Sequence, residues 1–97
     1  MKLLETKFKS NGFTHVQIAR KGNLAIYKRF KKIRDVKICY FEVVIVRVSP
    51  EWTAFGQTFP EVEKYPTAKQ WGVDGWTYND LESAWDRLWQ IRRRRKK

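Results

Sequence analysis

Apolar residues recur with two periods along this 97-residue chain, and the change of period marks where strands give way to a helix. Phe13 to Arg20 alternates, with Val16 and Ile18 on one side and polar Thr14 and Arg20 extending that register. Lys21-Gly22-Asn23 fits a hairpin turn, because Gly and Asn tolerate positive φ. Leu24 to Phe30 returns as a second strand, with Leu24, Ile26 and Phe30 facing one way, and Ile33-Arg34-Asp35 makes a second turn. Val36 to Val48 is the clearest strand. Val36, Ile38, Tyr40, Val44, Val46 and Val48 share one parity, while Cys39, Phe41, Val43 and Ile45 share the other. Both sides are apolar through the middle, which predicts an inner strand covered on both faces. Ser49-Pro50 stops it.

The two ends read as helical. Leu4 and Phe8, four apart, predict a short helix within residues 1–10, ended by Asn11-Gly12. Residues 51–78 are irregular, with Ala54 to Phe59 able to form a small hairpin. Beyond them Leu81, Ala84, Trp85, Leu88 and Arg92 fall at helical spacing, with Trp89 and Ile91 on the flanks of that stripe. Asn79 as N-cap with Glu82 three residues later resembles a capping box, and Asp80 suits the positive end of the helix dipole. The elements together predict an α+β fold: an antiparallel sheet of three to five strands with a C-terminal helix packed on one face. The first helix or the aromatic loop is expected on the other face. Residues 1–91 form one domain in this reading, followed by a basic tail over 92–97.

Charge changes the picture. The chain carries 21 Lys and Arg against 10 Asp and Glu, net +11, in blocks. Residues 1–48 are net +9, residues 49–91 net −4, and residues 92–97 are all basic. A block pattern of this kind suggests a surface that meets a polyanion. Lys28, Arg29, Lys31, Lys32 and Arg34 crowd the end of one strand and its turn, and Arg20 and Lys21 occupy the preceding hairpin. If the strands pair as proposed, these residues form a band along a sheet edge, with Lys28 and Arg29 between its ends. A plain solvated edge is the competing account, since lysine commonly guards edges. Arg92, Arg93, Arg94 and Arg95, with Lys96 and Lys97, would serve as a sequence-blind arm for phosphates. The same run also terminates a helix favourably.

Chemistry is sparse by comparison. One Cys and one His exclude an internal disulfide and a four-ligand zinc site. Cys39, in an apolar run, reads as a reduced, buried thiol suited to a reducing cytosol. No apolar stretch is long enough to cross a membrane, and charges interrupt the first residues at once, unlike a signal peptide. His15, the sole imidazole, has no nucleophile signature beside it and reads as a surface or structural residue. Glu42 breaks an apolar face and is expected near an edge or paired with a neighbouring base. Glu61 and Glu63 read as solvated, and Asp74 as a turn residue. The glycines are in no phosphate-cradling arrangement. No enzyme activity, cofactor or metal is expected.

Nine aromatic residues lie after residue 50. Exposed rings could stack on unpaired bases, but most are expected in the core, Trp85 foremost. Trp52 and Trp89 are the expected exposed exceptions. Cations and aromatics interleave only at Tyr27-Lys28-Arg29-Phe30.

Tyr65-Pro66, Trp71-Gly72, Gly75-Trp76-Thr77-Tyr78 and Leu81-Glu82-Ser83-Ala84 together resemble a group of small, uncharacterised tailed-bacteriophage proteins. Gly12-Phe13, Arg20-Lys21-Gly22-Asn23, Tyr27 and Phe41-Glu42-Val43-Val44 are similar to that group's hairpin and long strand. The resemblance implies a phage product acting in a bacterial cytosol, and no particular activity. Trp71-Gly72 followed by the Leu81 helix is also similar to WGR domains, which bind DNA, although Val73 stands where that family has Arg. In physical terms Gly72 and Gly75 are expected to permit positive φ or close backbone approach, so that Trp71 and Trp76 clasp sheet and helix together. The expected function is non-enzymatic binding of nucleic acid, DNA or RNA. The alternative is a phage-made inhibitor that binds a host protein or ribonucleoprotein complex.

Overall fold

Asn11 and Gly12 both have positive φ, 53° and 81°, the geometry of a two-residue hairpin turn whose twist matches the flanking strands. The N-terminal region is therefore extended where a helix is predicted: β1 (Lys7–Ser10) pairs antiparallel with β2 (Phe13–Lys21) through that turn. The four-residue spacing of Leu4 and Phe8 reflects two contacts with one sheet face, not a helical turn. The computed structural model describes residues 1–95. The positions of Lys96 and Lys97 and the side chain of Arg95 lie outside the described residues.

Gly22-Asn23 joins β2 to β3 (Leu24–Ile33), and Arg34-Asp35 joins β3 to β4 (Val36–Ile45), as the sequence predicts. Three short strand pairs follow: β5 (Arg47–Ser49) with β8 (Val62–Lys64), β6 (Trp52–Ala54) with β7 (Gln57–Phe59), and β9 (Gly75–Tyr78) with β4. Helix α1 spans Leu81–Arg95. The main sheet has five antiparallel strands in the order β1-β2-β3-β4-β9, with α1 packed on one face, so the α+β prediction holds.

Three sequence readings shift. The register of β2 slips between Gln17 and Ala19, leaving Ile18 exposed, so Val16 and Ile18 do not share a buried side. Such a bulge turns one residue out of the ladder. The long strand leaves the main sheet after Ile45, because Val46 N–H turns to donate to the Asn23 carbonyl and Arg47 closes a bidentate pair on Asp74. The helix cap moves by one residue: Asp80, not Asn79, accepts the Ser83 amide at 2.8 Å and the Ser83 hydroxyl at 2.9 Å. Its carboxylate is held below the usual range chiefly by the Ser83 backbone N–H.

The sheet is apolar on both sides. Toward α1, Leu24, Ile26, Val43 and Ile45 meet Ala84, Leu88 and Ile91, with Trp76 and Trp85 packed around them. On the opposite side Ala25, Tyr27, Val44 and Val46 are covered by Leu4, Phe8, Tyr65 and Trp71. Both proposed covers are thus present, the N-terminal segment as extended chain and the aromatic loop. Gly72 has φ 89°, and a Cβ on Gly75 would meet Trp71 at 2.5 Å, which is why the clasp needs glycine at both positions. The two tryptophans divide the task, Trp71 lying on the face away from the helix and Trp76 on the helix side.

Candidate nucleic-acid interface and polar cleft

Side chains alternate across a strand, and paired residues of an antiparallel ladder share a face. That rule splits the basic segment. Lys28 and Lys32 lie on the face of Leu24 and Ile26, whereas Arg29 and Lys31 lie on the face of Ala25 and Tyr27. The strand that carries them, β3, is the middle strand of five. The predicted sheet-edge band is therefore corrected: these cations lie within the sheet and look to both sides of it.

The helix-side face gains cations that sequence reasoning missed. One cross-strand row runs Lys7, Val16, Lys28, Phe41, and the next runs Lys9, Thr14, Phe30, Cys39. Lys32 and Lys37 face each other one row further out. Lys7, Lys9, Lys28, Lys32 and Lys37 thus share the part of this face beyond the helix-packed core. None of the five forms an ion pair with a described residue. Phe30 sits among them, with Lys28 Nζ and Lys37 Nζ each 5.5 Å from its ring centre. Neighbouring strands lie about 4.8 Å apart and alternate residues about 6.6 Å, comparable to the spacing of successive phosphates. Lys7 and Lys9 join this face because β1 is a strand, and Lys37 joins it through its register opposite Lys32. The Asn11-Gly12 pair was the signal for that strand.

The other predicted cations are distributed as follows. Arg20 is committed internally: its guanidinium donates to both carboxylate oxygens of Glu63 at 3.2 and 2.7 Å and to the Gly22 carbonyl. Glu63, expected to be solvated, is instead half-buried, also accepts the Leu4 amide, and is held below the usual carboxylate range first by Arg20. Lys21 is exposed at the end of the sheet opposite Lys31, Lys32 and Arg34, roughly 23 Å away at about 3.3 Å per residue. Arg34, at φ 55°, is exposed in the β3–β4 turn. Arg92 lies over Trp89, 5.5 Å from its ring centre, while Arg93 and Arg94 are exposed on the last turn of α1. Arg95 contributes no described side chain.

On the opposite face, Arg29 enters a cluster that the sequence did not disclose. Glu42 on β4 is buried, and its Oε1 accepts the Tyr65 hydroxyl at 2.5 Å and lies 3.4 Å from Nε2 of His15 on β2. Its Oε2 is less well served, with Thr77 Oγ1 at 3.4 Å and Arg29 Nη1 at 4.0 Å. Thr77 Oγ1 in turn accepts the Trp71 indole N–H at 3.0 Å. Arg29 stacks on Phe13, 3.7 Å from its ring centre, and makes no hydrogen bond with any described residue. The cluster opens into a cleft of about 400 Å³ lined also by Phe8.

Burial governs the titration of this cluster. His15 is held below its ordinary value first by desolvation, against the opposing pull of the Glu42 carboxylate and with a further depression from Arg29. Its ring stacks on Phe8 with centres 4.5 Å apart. Nδ1 is buried without a hydrogen-bond partner, although the Phe13 backbone favours its protonation slightly. Tyr65 is pushed far above its usual range by burial and by Glu42, so its phenol stays a neutral donor. The expectation that Glu42 pairs with a base holds, but inside the sheet and not at its edge. His15 is buried, not at the surface.

Among the described residues no group of three or more His, Cys, Asp and Glu is placed to hold a metal ion, and no helix is long and apolar enough to cross a membrane. Cys39 is a free, half-buried thiol beside Phe30 on the lysine face, not a fully buried one. Comparison with family models, curated proteins and solved structures finds no match to this chain.

Proposed function

We propose that the protein binds nucleic acid, without chemistry, by laying a phosphate backbone across Lys7, Lys9, Lys28, Lys32 and Lys37. The observation that carries this reading is their shared face with no ion pair among the described residues. Lys32 directly opposite Lys37 is a like-charge pair that costs stability in the free protein, and a bound phosphate would relieve that cost. Arg93 and Arg94 supply further exposed positive charge on the helix. Lysine heads are point charges that attract phosphates without reading bases, so duplex DNA and RNA are both candidate ligands. Anisotropy titrations of labelled duplex DNA, single-stranded DNA and structured RNA over a salt series test it. With five phosphate contacts the log–log slope on duplex is about −4 to −5. No binding at low salt, or binding indifferent to salt, overturns the proposal.

A second reading rests on the β6–β7 hairpin. Phe55 at its tip is fully exposed, and Trp52 stacks on Phe59 behind it with ring centres 4.3 Å apart. Residues 50–63 carry Glu51, Glu61 and Glu63 and no Lys or Arg, so this finger suits an apolar pocket on a protein better than a phosphate backbone. On this reading the chain is a phage product that docks on a host complex in the bacterial cytosol. A single stoichiometric protein partner, retained at high salt from nuclease-treated lysate and lost on Phe55→Asn, would favour it over the first.

A further inference from the structure

The cleft opposite the helix holds an unusual pair. Arg29 is three-quarters buried at its side chain, yet its guanidinium makes no hydrogen bond with any described residue. Glu42 is buried, yet among the described residues Oε2 has only two distant neighbours, Thr77 Oγ1 at 3.4 Å and Arg29 Nη1 at 4.0 Å. Desolvated charges are normally saturated with hydrogen bonds. Here an underserved donor and an underserved acceptor stand side by side, on the wall of a cleft whose other surfaces include the rings of Phe8, Tyr65 and Trp71. The remainder of the cluster holds the carboxylate in place: the Tyr65 hydroxyl binds Oε1, and Trp71 donates to Thr77, which in turn approaches Oε2.

We infer that this cleft binds a guanine base, with Glu42 Oε2 accepting from its N1–H and 2-amino group and Arg29 donating to its carbonyl oxygen. A flat ring system fits aromatic walls, and the cleft volume of about 400 Å³ falls in the range of small-ligand sites. Among the common bases, only guanine presents an acceptor (O6) beside two adjacent donors (N1–H and the 2-amino group) on one edge. Adenine and cytosine each offer one amino donor beside a ring acceptor, and uracil offers a single N–H between two carbonyls. A carboxylate beside a guanidinium is complementary to the first pattern. This inference concerns the face away from the lysine rows and does not depend on their binding a backbone.

Calorimetric titration of the full chain with GMP, AMP, CMP, UMP and IMP, at a salt concentration that suppresses backbone binding, is the test. GMP is expected to bind about tenfold or more tightly than AMP, CMP or UMP, the discrimination that a well-made bidentate contact supplies. IMP, which lacks the 2-amino group, should bind weakly too, and it probes the Glu42 contact without altering the protein. Glu42→Gln should abolish the preference for GMP, with thermal melting to confirm that the variant is folded. Equal affinity for all five nucleotides, binding of inorganic phosphate as tight as GMP, or no heat with GMP at millimolar concentration overturns the inference. GMP binding with no binding of nucleic acid at low salt overturns only the lysine-face proposal, and the converse overturns only this one.

Discussion

Tyr65 and Glu42 are joined across two layers of the molecule: the phenol, on the loop that covers the sheet, donates to a carboxylate buried within the sheet at 2.5 Å. A buried carboxylate is tolerated only when its oxygens are served, so this bond anchors the covering loop and makes Glu42 admissible.

Tyr65→Phe leaves the loop's packing almost unchanged but removes that donor. Losing the partner of a buried carboxylate costs about 1–3 kcal/mol. A urea denaturation midpoint equal to that of the parent protein would show that the bond contributes nothing.

Stability should also fall on mild acidification because of His15. Its pKa in the folded state lies below the ordinary 6.5, so the unfolded chain takes up a proton that the folded chain refuses. The stabilisation is complete above about pH 6.5 and is lost progressively as pH drops through that value. Measured between pH 8 and 5, the denaturation midpoint should decline, and His15→Gln should flatten that part of the decline. An identical slope in the variant rules out His15 as its source. Glu63, depressed first by its hydrogen bond from Arg20, and Asp80, depressed by the Ser83 amide and hydroxyl, act in the lower window: their contributions hold above the carboxylate range and vanish beneath it.

Phe55 takes a left-handed φ of 52° at the tip of the β6–β7 hairpin, followed by Gly56 at 73°. Asn-Gly is the preferred pair for such a turn, and a bulky ring there is strained. Phe55→Asn should therefore raise stability, by about 1 kcal/mol or a few degrees in Tm. A lower melting temperature would mean that the exposed ring stabilises the hairpin in a way its contacts do not reveal.

Lys37→Glu converts the Lys32–Lys37 repulsion into an attraction. The expected result is a gain of about 0.2–1 kcal/mol in stability, together with weaker nucleic-acid binding and a shallower salt slope, by about 0.9 for the phosphate contact removed. A variant that is more stable and binds as tightly as the parent excludes Lys37 from the interface.

Gly75→Ala places a methyl group 2.5 Å from the Trp71 ring. Overpacking of this kind costs about 1–3 kcal/mol, visible as an earlier thermal transition. Gly12, with open space around it, should respond only through its backbone conformation.

Much of the architecture was legible because its cues are local. The alternation in β3 and β4, the Gly22-Asn23 and Arg34-Asp35 turns, and the stripe of Leu81, Ala84 and Leu88 each need only a few neighbouring residues, and each is realised. Local cues also misled where two readings share a spacing. Leu4 and Phe8 lie four apart in a helix and, equally, on one face of extended chain, and only the pairing of β1 with β2 separates the two. The bulge at Ile18 leaves no mark in composition.

Periodicity and residue counts alone establish the types of β2, β3, β4 and α1, the doubly apolar inner strand, the segregation of charge and the scarcity of metal-binding side chains. The tertiary structure alone decided which cations share a face and which carboxylates neutralise others, as Glu63 does Arg20. It also decided that His15, Arg29, Glu42 and Tyr65, from four separate segments, converge on one cleft. The physical reason is that such relationships depend on strand order and register, set by contacts between residues remote along the chain, and on an alternation that sends adjacent residues such as Lys28 and Arg29 to opposite sides of the sheet.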